Sequence, residues 1–272
     1  MIEGVLALVL AGLLGLMVGS FLNVVIHRLP LMLQAQWDAE TTATPLETRP
    51  FNLAVPRSHC PHCQQPLRWH ENIPLLSFIA LRGRCTHCRA PISWRYPAIE
   101  LITAGLFIGL MAKHGWGFEA LAWAGFSAAL VALAAIDADT RLLPDAITQP
   151  LVWAGLLASS LGLSGIGLNE SLWGAAGGYL FLWSVLWLFK GLTGKEGMGQ
   201  GDLKLLAGLG AWLGWPALLS LVLIASLTGI LGGLGLKWRG RLPENGELAF
   251  GPYLVLAGLW VMSFGTLPWF LI

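Results

Sequence analysis

Apolar residues run along this chain in long continuous blocks, rather than alternating or recurring every three to four positions as in half-buried elements. A helix needs about 20 apolar residues to cross the hydrocarbon core, with a usual range of about 17 to 25. Seven blocks meet that length: Gly4 to Ile26, Tyr96 to Ala112, Phe118 to Ile136, Ala146 to Leu163, Leu172 to Phe189, Pro216 to Leu236 and Phe250 to Ile272. An eighth, Leu203 to Leu213, is too short to span comfortably and is read as a tilted or partial helix. The first block carries Glu3 and no basic n-region, so it is read as a retained helix rather than a signal peptide.

Composition sharpens this picture. Of 272 residues, 56% are hydrophobic and 11% charged, with mean hydropathy +0.67. A soluble domain carries roughly 25% charge, so an ordinary soluble enzyme is excluded. The fold class expected is an all-α polytopic membrane protein of about eight transmembrane helices with one zinc-ribbon-like loop domain. Sixteen basic against fifteen acidic residues leave a net charge of +1, which argues against a nucleic-acid partner. The longest connection, His27 to Arg95, is the candidate soluble part. If it is cytoplasmic and the crossings alternate, every Lys and Arg except Lys113 falls on the inner side, Arg49 and Arg241 included. The positive-inside rule favours that orientation and puts both termini outside the cytoplasm. No internal repeat is apparent, so the inverted-repeat pattern of many secondary transporters is missing.

The long connection holds all four cysteines, as Cys60-x-x-Cys63 and Cys85-x-x-Cys88 with 21 residues between the pairs. That spacing is close to a four-thiolate structural Zn2+ site. Two disulfides are the competing reading, but a reducing compartment disfavours them. His59, His62 and His87 sit in or beside the turns and are expected to be solvated.

Ionisable groups at membrane spans are costly, which makes each a functional candidate. Asp137 and Asp139 end the third block in I-D-A-D-T-R-L-L-P-D, Asp145 precedes the fourth, and Asp202 follows in G-M-G-Q-G-D-L-K. With alternating sides all four reach one membrane boundary. Two carboxyl groups a few ångström apart share one proton, so one can act as base on water while the other polarises a peptide carbonyl. Either Asp137 or Asp139, but not both, is expected to face Asp202. Gly197, Gly199 and Gly201 would let a substrate backbone approach. Asp145 reads most simply as a helix-start charge, Glu100 as structural, and Ser20 and Asn23 as interhelical hydrogen-bond partners.

Taken together, these residues resemble the bacterial type IV prepilin peptidases, GxGD-type intramembrane aspartic peptidases that also N-methylate their product. The marks are G-S-F-L-N-V-V-I-H-R-L-P at Gly19 to Pro30, C-P-H-C and C-T-H-C, E-N-I-P at Glu71 to Pro74, and R-Y-P at Arg95 to Pro97. I-D-A-D with L-L-P-D, G-K-E-G-M-G-Q-G-D at Gly194 to Asp202, and F-G-P-Y at Phe250 to Tyr253 complete them. The resemblance implies that Asp137 and Asp202 are catalytic, with Gly199 and Gly201 as active-site glycines. It further implies a prepilin or pseudopilin substrate, cut after Gly on the cytoplasmic side of a bacterial inner membrane, and S-adenosylmethionine as methyl donor. The methyl-transfer region to search is the loop with Glu71, Gly83, Arg84 and Arg95. The implied organisation is 1–26 as first helix, 27–95 as the cytoplasmic zinc-binding and methyltransferase-associated loop, and 96–272 as the peptidase. The rival readings are an ion-coupled transporter, in which the acids bind or relay an ion, and a zinc-loop scaffold without chemistry.

Overall fold

The computed structural model describes residues 2–42, 51–195, 197–240 and 248–267. Arg49, Glu196 and Arg241 and the end of the last apolar block lie outside the described residues. The described residues are helical throughout apart from loops and two isolated antiparallel bridges, so the all-α expectation holds. The helices are α1 (Ile2–Thr42), α2 (Leu76–Ala80), α3 (Arg95–His114), α4 (Phe118–Thr140) and α5 (Asp145–Ser160), then α6 (Leu168–Thr193), α7 (Gln200–Leu213), α8 (Ala217–Trp238) and α9 (Gly251–Phe264). Among the described residues one 3-10 turn covers Trp69–Asn72.

Five of these, α1, α3, α4, α6 and α8, are long and apolar enough to cross a membrane, so this is a multi-pass membrane protein. The remaining expected crossings correspond to α5, α7 and α9, with 16, 14 and 14 residues. At 1.5 Å per residue these reach about 21 to 24 Å, less than the roughly 30 Å of hydrocarbon. The first helix departs from expectation in the other direction. Its apolar block ends at Ile26, yet the helix continues through Pro30 to Thr42. Hydropathy marks where lipid ends, not where the backbone stops coiling, and Q-A-Q-W-D-A-E is rich in good helix formers.

The chain divides into two compact units, Met1–Ala132 and Leu133–Ile272, with the division inside α4. In the first, α1 packs along α3 through a small-residue seam. A Cβ on Gly15 would lie 2.6 Å from Ala104 Cα, and one on Gly19 would lie 2.7 Å from Glu100 Cα. Glycine at both positions therefore lets the two backbones touch, the close-packed geometry of GxxxG helix pairs in lipid. On the opposite face Val5, Val9, Leu13, Met17 and Phe21, four residues apart, are each more than half exposed. Past Ile26, Arg28 is buried and gives its guanidinium to the carbonyls of Asn52 at 2.9 Å and Pro56 at 2.7 Å, tying the loop back to α1.

The second unit is built round α7. Leu203, Leu205, Leu206, Leu209, Ala211 and Trp212 are all buried, as expected of a helix apolar on every side. Gly174 of α6 lies in backbone contact with Gly210 of α7, and a Cβ on Gly178 would fall 2.7 Å from the Leu206 carbonyl. Ser171 donates to the Ala211 carbonyl at 2.6 Å and Trp212 to that of Leu151 in α5 at 3.0 Å. A short helix is tolerable at membrane depth when protein surrounds it, and α5, α6, α8 and α9 all contact α7.

Candidate active site

Asp137 occupies the last turn of α4, which closes when the Arg141 N–H bonds the Asp137 carbonyl at 2.9 Å with Arg141 in the left-handed region, φ +57°. Asp202 is the third residue of α7, after Gly199 at the N-cap, where the helix dipole favours negative charge. The two carboxyl groups lie within electrostatic reach of each other. Asp137 is 4% exposed and Asp202 8%, whereas Asp139 is exposed. Helical rotation explains the split: two positions apart on one helix, Asp137 and Asp139 cannot share a face.

Their surroundings differ atom by atom. Asp137 Oδ2 accepts the backbone N–H of Gly251 at 2.9 Å, across 114 residues of sequence. Asp202 Oδ1 is buried and has no hydrogen-bond partner among the described residues. One carboxyl group is thus held by a donor suited to an anion, and the other has an oxygen on which a proton can reside. Gly251 is a contact that the residue types alone did not reveal. Its sign was the F-G-P-Y motif: glycine at a helix start, followed by a proline that has no N–H of its own. A Cβ on Gly251 would sit 2.6 Å from Asp137 Oδ2, so only glycine permits this approach.

The glycines near Asp202 divide. A Cβ on Gly201 would lie 2.6 Å from Leu143 Cβ, so Gly201 is the residue that lets α7 start against the L-L-P-D segment. A Cβ on Gly199 would meet nothing nearer than Asp202 Oδ2 at 3.8 Å, leaving that side open. A Cβ on Gly197 would strike the Phe189 ring at 2.6 Å. Asp145 is more than a helix-start charge, since both its oxygens take the Lys204 ammonium, at 2.6 and 2.8 Å. This partly exposed ion pair fastens the first turn of α5 to the second turn of α7.

The four cysteines come together, their sulfurs all within 4.8 Å of one another. Cys60 to Cys88 measures 3.8 Å and Cys63 to Cys85 measures 4.0 Å, too long for disulfides, and all four thiols are free. Four thiolates at about 2.3 Å from a tetrahedral Zn2+ have edges of about 3.8 Å, so the set can hold a metal ion. Two matching turns build it. In each, the first cysteine carbonyl accepts an N–H four residues on, Gln64 at 2.9 Å and Arg89 at 3.0 Å, and those acceptors' partners adopt the left-handed region, φ +59° and +58°. Bridges His59 to Pro66 and Arg84 to Pro91 frame them. The chain therefore does contain a repeat, x-Cys-x-His-Cys-x-x-Pro at 59–66 and 84–91, too short to register as a repeating fold unit. The N–H groups of Cys88 and His87 pull the Cys85 thiol down to about 6, while burial and the neighbouring sulfurs push the Cys63 thiol up to about 11. His62 and His87 are exposed, and His59 bonds the Arg57 carbonyl at 3.1 Å; none of the three joins the sulfur cluster.

The loop candidates for methyl transfer separate as well. Glu71 is buried, accepting the Thr86 hydroxyl at 2.6 Å and the Arg68 N–H at 2.8 Å. Those two donors hold its carboxyl below the usual carboxylate range. It lines a cavity of about 470 Å³ within the first unit. Gly83, Arg84 and Arg95 do not line it. Gly83 turns the chain from α2 into the second cysteine turn at φ +65°, against the Phe78 ring, while Arg84 is exposed and Arg95 opens α3.

Residues 13–114 match the Bacterial Peptidase A24 N-terminal domain, and residues 124–234 match the Type IV leader peptidase family. A prepilin leader peptidase/N-methyltransferase of Burkholderia pseudomallei (strain 1026b) is 52% identical, over 97% of this chain and 87% of its own length. Proteins of the same name from Pseudomonas aeruginosa and Aeromonas hydrophila are 51% and 49% identical, each over 92% of this chain and 87% of their own length. No solved structure matches the chain. A buried aspartate pair in one unit, a tetracysteine loop in the other and relatives alike over nearly the whole sequence agree: the chain belongs to the type IV leader peptidase family.

Proposed function

We propose that this protein is a membrane-embedded aspartic peptidase that removes the leader from type IV prepilins or pseudopilins and then N-methylates the new N-terminal residue. The observation that carries the peptidase reading is the buried pair of Asp137 and Asp202 with unequal partners, Gly251 N–H on one and none on Oδ1 of the other. Asp137 is the ionised base. It takes a proton from water as the water oxygen bonds to the scissile carbonyl carbon. Asp202 holds the shared proton and gives it toward the carbonyl oxygen, so that no full negative charge develops in a dry site. Collapse of the tetrahedral species breaks the C–N bond as the proton gained by Asp137 passes to the leaving amine, and one hydroxyl of the former carbonyl carbon returns its proton to Asp202.

Gly201 and the Asp145–Lys204 pair act at one remove, setting where α7 begins and hence where Asp202 stands. The open side at Gly199 suits an extended substrate backbone. Cys60, Cys63, Cys85 and Cys88 would hold Zn2+, which would cross-link two turns in a loop with little core of its own. S-adenosylmethionine would supply the methyl group to the newly freed amine. The distribution of Lys and Arg supports a cytoplasmic loop, termini on the other side and residence in a bacterial inner membrane, where a basic leader would meet anionic lipid.

The test is to incubate the purified protein, in lipid, with a prepilin and read the products by mass, beside Asp202→Asn. The wild type is expected to yield leader and mature chain, with 14 mass units added, roughly one methyl, when donor is present. Asp202→Asn is expected to yield neither. Cleavage that survives in Asp202→Asn would overturn the dyad.

A further inference from the structure

We infer that α2 is a foot set into the membrane surface: Leu76 and Ile79 lie among the acyl chains at the headgroup boundary, and Arg82 and Arg84 take the phosphates of anionic phospholipids. Membrane residence, which the long apolar helices establish, is all that this requires of the reading above.

The depth of α2 follows from its ties to α3. With 20 residues α3 is about 30 Å long, the thickness of the hydrocarbon core, so Arg95 stands at one boundary. Trp94 and Tyr96, both exposed, flank that arginine where interfacial aromatic residues collect. Glu100 lies about 7 Å further along the helix axis. Its carboxyl group accepts the Leu75 N–H at 2.7 Å. Leu75 reaches that acceptor at φ +58°, a backbone that a branched residue rarely adopts. The Phe78 ring meets the Trp94 ring edge to face, with centroids 4.8 Å apart. These contacts hold α2 beside the first turns of α3, at the depth of about 5 to 10 Å to which interfacial helices sink.

The two sides of α2 differ. Ser77, Phe78 and Leu81 line the cavity of the first unit, whereas Leu76 and Ile79 do not, and they are 64% and 62% exposed. Three positions apart, these two share one side of the helix. The backbone suits lipid as well, since the N–H groups of Leu75, Ser77, Ile79, Leu81 and Gly83 all find acceptors within the first unit. Directly after α2 come Arg82 and Arg84, both exposed and without an ion pair among the described residues. No acid occurs from Ile73 to Ile99, so nothing in this stretch repels an anionic headgroup. An apolar pair followed by two exposed cations matches a phospholipid leaflet, apolar within and anionic at its surface. The basic leader of a prepilin has the wrong sign for Arg82 and Arg84.

The experiment maps lipid contact and needs neither cleavage nor methyl transfer. The full-length, metal-loaded protein is placed in matched nanodiscs of phosphatidylglycerol or phosphatidylcholine carrying a photoactivatable acyl chain, and adducts are located by mass spectrometry. Leu101 and Ile102, exposed on the spanning helix α3, give the lipid-facing reference, and Gln64 and Gln65 of the first cysteine turn give the polar one. In phosphatidylglycerol, adducts at residues 76–79 should approach the α3 level and exceed the polar reference by about tenfold. Leu76→Gln combined with Ile79→Gln changes only exposed side chains and keeps good helix formers; it should lower those adducts about tenfold at unchanged metal content. Arg82→Gln combined with Arg84→Gln should cut the excess of phosphatidylglycerol over phosphatidylcholine adducts by roughly fivefold or more. Labelling of 76–79 no higher than at Gln64 and Gln65 would overturn the foot. Equal labelling from the two lipids would overturn the phosphate contacts of the arginines. Labelling that saturating prepilin abolishes would give this face to the substrate instead.

Discussion

Replacing Gly251 by alanine tests the active-site geometry at the place where it is tightest. The added methyl would sit 2.6 Å from Asp137 Oδ2, 3.0 Å from its Cγ and 3.3 Å from its Cβ, so the carboxyl group or the start of α9 has to move. Either movement breaks the 2.9 Å bond from the Gly251 N–H. A hydrogen bond to a charged acceptor is worth about 1.5 to 3 kcal/mol. At 1.36 kcal/mol per factor of ten, kcat/KM for prepilin cleavage should fall roughly ten- to a hundredfold. The assay is the initial rate of leader release by mass spectrometry in lipid. Gly229→Ala serves as comparison, because a Cβ there meets nothing nearer than 3.5 Å in α8's neighbourhood and the rate should stay near wild type. A Gly251→Ala enzyme within twofold of wild type, at unchanged thermal stability, would refute the claim that this N–H holds the catalytic carboxylate.

Three further outcomes follow from the same contacts. Asp139→Asn should cleave within a few-fold of wild type while Asp137→Asn is inactive though inserted, because Asp139 is exposed and Asp137 buried; equal losses in the two, read by prepilin mass, would contradict the assignment. Lys204→Met removes an ion pair whose side chains are 28% and 54% exposed, so the loss is at most about 1 kcal/mol, or a few-fold in rate, and should shrink further in high salt. Chelation, or Cys85→Ser, should release metal and open residues 51–94 to protease, measured by metal analysis and limited digestion; a loop equally resistant with and without metal would show that the thiolates are not its scaffold.

Much of this protein was legible from local pattern, because the properties concerned are local. Apolar block length reports membrane crossing directly, since the bilayer sets one length scale for every helix. The C-x-x-C pairs announce a metal site because each tight turn by itself brings two sulfurs to one side. The block rule gave α5 more length than its 16 helical residues, read α7 correctly as too short to span by itself, and cut α1 at Ile26 because lipid and helix end at different residues.

What the chain alone could state, then, was membrane residence, the thiolate pairs and the four aspartates from which a dyad could come. The family resemblance singled out Asp137 and Asp202, and the packing supports the same pair. Helical rotation buried Asp137 and exposed Asp139, and α7, closed in by Gly174 and Gly210, set the depth of Asp202. The Gly251 N–H arrived from 114 residues away. Contacts of that separation leave no mark in spacing or periodicity, because they depend on how close two backbones can come, and here that distance is set by missing Cβ atoms.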